Sequence, residues 1–286
     1  MKSRLSVFSV KAGVDVLQYG KEIPDKVKGF LLDGTADAPA KATFMRMTYF
    51  RGHHGCHCCY AKGEKSERTG NVFVYPYEED FRPRSREEYC EDLKNQTGGI
   101  KGPTYLFWMC WSFFMQSTAV DVMHCVYLGV CRQLFNLWFS SEYFKHVFGE
   151  NTEKKKMLQV LSKIFCGFRA PHCLSRPPRS LAHASYFKAS EFRTWLFSTA
   201  LPVFKKYMKE PYFEHFKKLV CAIGLLNQSS VSPADIQLSR ELLISFVKQF
   251  QELFGLRNMS FNVHCLLHLP DTVSSWPTFC YKLLSL

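Results

Sequence analysis

Apolar and polar residues alternate loosely over residues 5–18 (LSVFSVKAGVDVLQ), which predicts one or two short strands ending at Tyr19-Gly20. Phe30, Leu31 and Leu32 read as the end of another short buried strand, and Asp33-Gly34 supplies turn chemistry after it. Pro39 suits the first position of a helix running through Ala40, Ala42 and Met45. Gly70 to Tyr77 (GNVFVYPY) is a third β-like run, in which Pro76 marks an edge or an end. Arg86 to Lys94 reads as a short polar helix, and Gly98 to Pro103 as a loop.

From Thr104 onward the pattern is almost wholly helical. Residues 104–115 are dense in aromatics, as core segments are. A helix starting near Asp121 carries Val122, Cys125, Val126, Leu128, Leu134, Leu137 and Trp138 around most of its surface, which predicts a central position in a bundle. Further helices are predicted at about 152–167, 188–208, 211–228 and 232–254; Ser232-Pro233 with Asp235 in the first turn marks a helix start. A last helix, Asn262 to Leu269, carries His264 and His268 one turn apart on one face. The fold class predicted is α+β and mainly α-helical, with a short N-terminal β region.

Composition narrows the class. An apolar content of 47% is ample for a packed core, and no run of 18 or more apolar residues interrupts the chain as a membrane span would. Met1-Lys2-Ser3-Arg4 lacks the apolar segment of a signal peptide, so an intracellular protein, nuclear or cytoplasmic, is expected. Twelve cysteines scattered through the chain, some inside helical patterns (Cys125, Cys131, Cys221), fit reduced thiols plus one metal site better than a disulfide framework. The net charge of +12 makes a polyanion, first of all nucleic acid, the natural partner. Its pieces, such as Lys154-Lys155-Lys156, Arg176 with Arg179, Lys205-Lys206 and Lys217-Lys218, each read as solvated helix faces, and only their sum points to DNA.

Candidate chemistry gathers between Phe30 and Gly63. Asp37 lies just past a strand end, where a carboxylate serves a catalytic metal as well as it serves a helix N-cap. Cys56 and Cys59 stand in a loop with little apolar content to bury them, flanked by Gly52-His53-His54-Gly55 and Lys62-Gly63, so a structural zinc is favoured over a buried thiol pair. His57 and Cys58 lie in the same loop as substitute ligands; the choice of Cys56 and Cys59 rests on the two-residue gap. His264 and His268 can supply the two ligands still wanted. Asp121 and His124 share a helix face, as an N-cap with a packed histidine also would.

Taken in order, these residues resemble a known family. Asp37-Ala38-Pro39-Ala40, Gly55-Cys56 with Cys59, Lys101-Gly102-Pro103 and Val120-Asp121-x-Met123-His124-x-Val126-x-Leu128-Gly129-Val130 are followed by Pro178-Arg179-Ser180-Leu181, Lys188-Ala189-Ser190-Glu191-x-Arg193 and Asn262-Val263-His264-x3-His268-Leu269. The series resembles transposase-derived proteins of the CACTA (En/Spm) group, in the CMC superfamily, over nearly the whole chain up to about Val273. The resemblance implies a ribonuclease-H-like catalytic core interrupted by a large helical insertion, with a partial core at 1–82, the insertion at 83–273 and a divergent tail at 274–286. It implies cleavage and transfer of DNA strands at transposon ends by two Mg²⁺ held between three carboxylates, with a structural zinc on Cys56, Cys59, His264 and His268. Asp37 matches the family's second catalytic aspartate. Asp121 and His124 match its Asp-x-x-His, in a structural or metal-proximal role.

Two of the family's carboxylates have no match here. Asp15 and Asp33 stand outside the first aspartate's motif, and no acidic residue follows Asp271, where SSWPTFCYKLLSL replaces the glutamate segment. One carboxylate cannot fix two Mg²⁺, so the chain as given is expected to bind zinc and DNA without cleaving DNA, as a piece truncated at both ends of the catalytic core. A homo-oligomer also fits, and membrane association does not. The competing expectation is a zinc-stabilised helical protein-interaction module whose basic charge is incidental.

Overall fold

The computed structural model describes residues 14–16, 23, 25–27, 34–65, 67, 70–109, 113–168 and 178–275. The strand expected at Phe30 to Leu32, Asp33, Arg176, most of 5–18 and all but two residues of the 274–286 tail lie outside the described residues. The chain is mainly helical with very little strand, and its residues group into two units. One comprises 1–63 with 78–119, the other 64–77 with 120–286.

In the first unit, β1 (Val14–Val16) pairs antiparallel with β2 (Asp25–Val27). Strand β3 (Gly34–Thr35) pairs in parallel with β4 (Thr118–Ala119), Gly34 opposite Thr118. Between them run α1 (Ala38–Phe44), α2 (Arg86–Asn95) and α3 (Leu106–Met109). Helix α2 starts in a reciprocal capping box of Ser85 and Glu88 and stops where Gln96 turns left-handed at φ 53°. Met45 and Met47 pack with Tyr89 of α2 and with Ile100, Phe113, Phe114 and Met115 to form the core of this unit.

In the second unit, the helix expected from Asp121 forms, but with an unexpected register. Met123–Cys131 is a π-helix that passes directly into α4 (Arg132–Trp138). After it come α5 (Phe144–Phe148), α6 (Lys154–Cys166) and α7 (Ala189–Thr194), which continues through a second π-helical stretch, Trp195–Ala200, into α8 (Leu201–Phe204). Helices α9 (Glu210–Leu226) and α10 (Pro233–Phe254) form an antiparallel pair, as cross-links from His215 to Phe246 and from Ser239 to Ala222 require. The described residues end with α11 (Phe261–Cys265), a single 3₁₀ turn at Leu266–His268 and α12 (Leu269–Ser275).

The core of this unit is aromatic. Trp138, Trp195, Phe204 and Phe216 are all buried, and their rings meet edge-on or tilted, with Trp138 and Phe216 centroids 5.0 Å apart. The central position foreseen for the Asp121 helix holds: its π segment is largely buried and packs against α7 and α11. Gly129 makes the last of these contacts possible, since a Cβ there would stand 2.6 Å from the Asn262 side-chain nitrogen. The β-like run of residues 70–77 does not become a strand. It makes one antiparallel bridge, Glu64 to Val74, and the Tyr75 N–H then donates to the Met259 carbonyl at 2.8 Å. Pro76 has no N–H with which to extend the ladder.

Candidate metal centre

Cys56 and Cys59 sit in an irregular, tightly tied loop of the first unit. The segment around Pro83 pairs with it: Tyr60 N–H donates to the Arg82 carbonyl and Arg84 N–H to the Cys58 carbonyl, both at 3.0 Å. His54 takes a left-handed turn at φ 56°, and its Nδ1 lies 2.9 Å from the Tyr60 carbonyl. The Ala61 N–H points at the Cys59 sulfur at 3.4 Å, a knuckle contact that favours a thiolate. Both cysteines are fully buried. A hydrogen bond with Cys56, and then burial, push the Cys59 thiol far above the usual thiol range. A cation that binds thiolates removes that penalty by displacing the protons.

The two histidines belong to the second unit. Ser260 caps α11 through the Val263 N–H, which sets His264 on the first turn. Tightening of the backbone to 3₁₀ at Leu266–His268 alters the expected single helix, yet His268 still lands beside His264. Their Nε2 atoms are 3.3 Å apart, both rings are buried, and Tyr75 stacks on His264 at 5.2 Å. Two imidazole nitrogens facing each other at that distance need a proton or a cation between them. Ligands about 2.0–2.1 Å from a zinc ion stand roughly 3.3 Å apart at tetrahedral corners, so the spacing is that of a shared metal.

Cys56, Cys59, His264 and His268 form a buried group whose ligand atoms all lie within 4.8 Å of one another and which could hold a metal ion such as zinc. Two thiolates and two neutral imidazoles make a set of soft and borderline donors that suits zinc and not Mg²⁺. The alternative ligands of the loop are used differently. His57 is buried with Nε2 3.0 Å from the Thr118 carbonyl, and Cys58 meets the His57 ring at 3.4 Å.

Asp37 stands half-buried just past β3, and its Oδ1 accepts the Ala40 N–H at 2.8 Å, which is N-cap geometry. Asp121 likewise accepts the His124 N–H, and its other oxygen meets His124 Nδ1 at 2.6 Å. His124 is half-exposed, not the packed histidine that periodicity suggested. Among the described residues no second group of three or more His, Cys, Asp or Glu side chains gathers closely enough to hold a metal.

Sequence reasoning missed Arg84. This guanidinium is buried, donates from Nε to the carbonyls of Cys56 (2.9 Å) and Cys59 (3.1 Å), and from Nη2 to those of His54 (3.1 Å) and Gly98 (2.7 Å). It lies 4.3 Å over the Tyr60 ring, whose hydroxyl donates to Asp92 at 2.6 Å. One fork-shaped cation therefore fixes the backbone of both cysteines. The only signal for it in the sequence is an arginine beside a proline downstream of the Cys-x-x-Cys.

Among the described residues no helix is long and apolar enough to cross a membrane. Compared with protein-family models and with curated proteins, the chain matches none.

Proposed function

We propose that the chain is a zinc-stabilised, DNA-binding protein derived from a transposase of the CACTA type. The observation that carries the zinc reading is the 3.3 Å approach of His264 to His268, in a buried group with Cys56 and Cys59. When bound, zinc supplies a folding cross-link and no reaction step. The motif series in its order supports descent from a transposase. So does the parallel pairing of β3 with β4, with Asp37 just beyond β3, which suits a remnant of a ribonuclease-H-like sheet with its large helical insertion. The net charge of +12 supports DNA as the partner and a nuclear site of action. Asp37, the family's second aspartate by resemblance, caps α1 through its Oδ1.

One observation favours a different reading, a zinc-stabilised module that binds protein. Several of the lysines are already engaged: Lys156 with Glu153, Lys217 with Glu214, and Lys218 with Ser245 and Gln249. Titration of duplex DNA at two salt concentrations separates the readings. The DNA reading requires affinity that falls steeply as salt rises; measurable affinity without salt dependence, or none at all, removes it. For the metal, purified protein carries about one zinc, which Cys56→Ser or His264→Ala loses and Cys58→Ser keeps; well-folded, metal-free protein sinks the proposal.

A further inference from the structure

The first unit carries a surface that the metal centre does not use. Residues 46–48 pair antiparallel with 99–101: Met47 bridges Ile100, Thr48 N–H donates to the Gly99 carbonyl at 2.7 Å, and Lys101 N–H to the Arg46 carbonyl at 2.8 Å. Met47 and Ile100 are buried in the core of the unit, so their neighbours Arg46 and Lys101 face solvent. Aromatic residues near both strands of this ribbon are partly exposed. Phe44 is 37% exposed, Tyr49 41%, Tyr105 54% and Trp108 44%. A hydrogen bond from Thr104 Oγ1 to the Phe44 carbonyl (2.6 Å) ties the two flanks together.

Two further features set this surface apart from a chance patch. Neither residues 44–54 nor residues 99–109 contain a single Asp or Glu, while Arg46, Arg51 and Lys101 are all present. Arg46 is also held at φ 52°, a left-handed conformation that costs free energy for any residue with a side chain. Its guanidinium lies over Gly102, where an added Cβ would meet Nε at 3.1 Å, so the glycine makes room for it.

We propose that this ribbon is a binding platform for unpaired nucleic acid, with bases stacked on the exposed rings and phosphates met by Arg46 and Lys101. Every base offers a π-face once it leaves the duplex, and a duplex hides those faces in its own stack. An apolar protein partner would instead bury both cations without an anion to pair them. The proposal rests on the reading of the chain as a nucleic-acid binder and specifies the form of the ligand.

The test measures anisotropy of a labelled oligothymidylate of about 20 nucleotides and of a duplex of similar length, with zinc content and thermal melting as checks on folding. The expected result is tighter binding of the single strand. Trp108→Ala and Tyr105→Ala each weaken it about tenfold and leave the duplex within about twofold, and Trp108→Phe retains it. Lys101→Glu, at an exposed site, provides a second variant if the ring substitutions disturb folding, and it too must weaken the single strand. Folded variants that bind oligothymidylate like the parent overturn the proposal. Duplex binding with no single-strand binding overturns it and leaves the DNA reading standing, whereas failure to bind either ends both. Self-association abolished by Trp108→Ala also overturns it, by assigning the surface to a second copy of the chain.

Discussion

Two buried side chains show what single residues contribute. Arg84 donates to four carbonyls at once, and truncating it removes that donor from each of them. Arg84→Met should cost about 3 kcal/mol or more in thermal or denaturant unfolding. Arg84→Lys should recover little of that, because an ammonium cannot reproduce the planar fork. His215 acts through a proton. It is buried against Phe246, with Nε2 3.1 Å from that residue's carbonyl, and burial holds its pKa down to about 3. In the unfolded chain the ring titrates near 6.5, so the neutral folded form is fully favoured above that value. The advantage is lost as pH falls from about 6.5 toward 3. By linkage the loss reaches roughly 3 kcal/mol near pH 4.5, and His215→Leu should flatten this part of the stability profile. A variant as acid-sensitive as the parent would show that other groups govern it.

At the scale of elements, the π-helix Met123–Cys131 has the most particular demands. Position 129 within it has no room for a side chain: a Cβ would stand 2.6 Å from the Asn262 side chain and 2.6 Å from the His124 carbonyl oxygen. Gly129→Ala is expected to destabilise by about 2 kcal/mol, read as a lower melting temperature. Shortening Asn262 to Ser in the same chain should not restore it, because the second obstacle is backbone. Melting unchanged in Gly129→Ala would mean that this helix relaxes to ordinary α geometry. Three helix starts follow local rules: Ser85, Ser232 and Ser260 each cap a following N–H.

At the scale of the whole molecule, the prediction concerns the metal. If zinc cross-links the chain through two cysteines and two histidines far apart in sequence, a strong chelator should lower the melting temperature by about 10 °C or more, and added zinc should restore it. Cys56→Ser should melt at the same temperature with or without chelator. A parent protein indifferent to chelation would remove zinc from the account of its stability.

The helices were legible because their apolar spacing and caps are local. Those expected at about 152–167, 211–228 and 232–254 form as Lys154–Cys166, Glu210–Leu226 and Pro233–Phe254; the last two carry a proline in the first turn and the last a serine cap as well, signals that act within a few residues of themselves. The Cys-x-x-Cys and the His-x3-His were readable for the same reason, each pair being set by short spacing. What spacing could not decide was which element would lose a contest. Residues 70–77 have strand-like side chains, but the Tyr75 N–H goes to Met259, a residue nearly two hundred positions away. The helix after Asp121 winds as a π-helix, and Asn262 packs where Gly129 has no side chain. The sequence by itself determined where helices begin and which residue types could take a metal. Only the tertiary structure decided that His57 turns to a backbone carbonyl, that Arg84 holds the cysteine loop, and that the two histidine nitrogens meet at metal-ligand spacing. Those outcomes depend on the direction of side chains from distant segments, which no local pattern encodes.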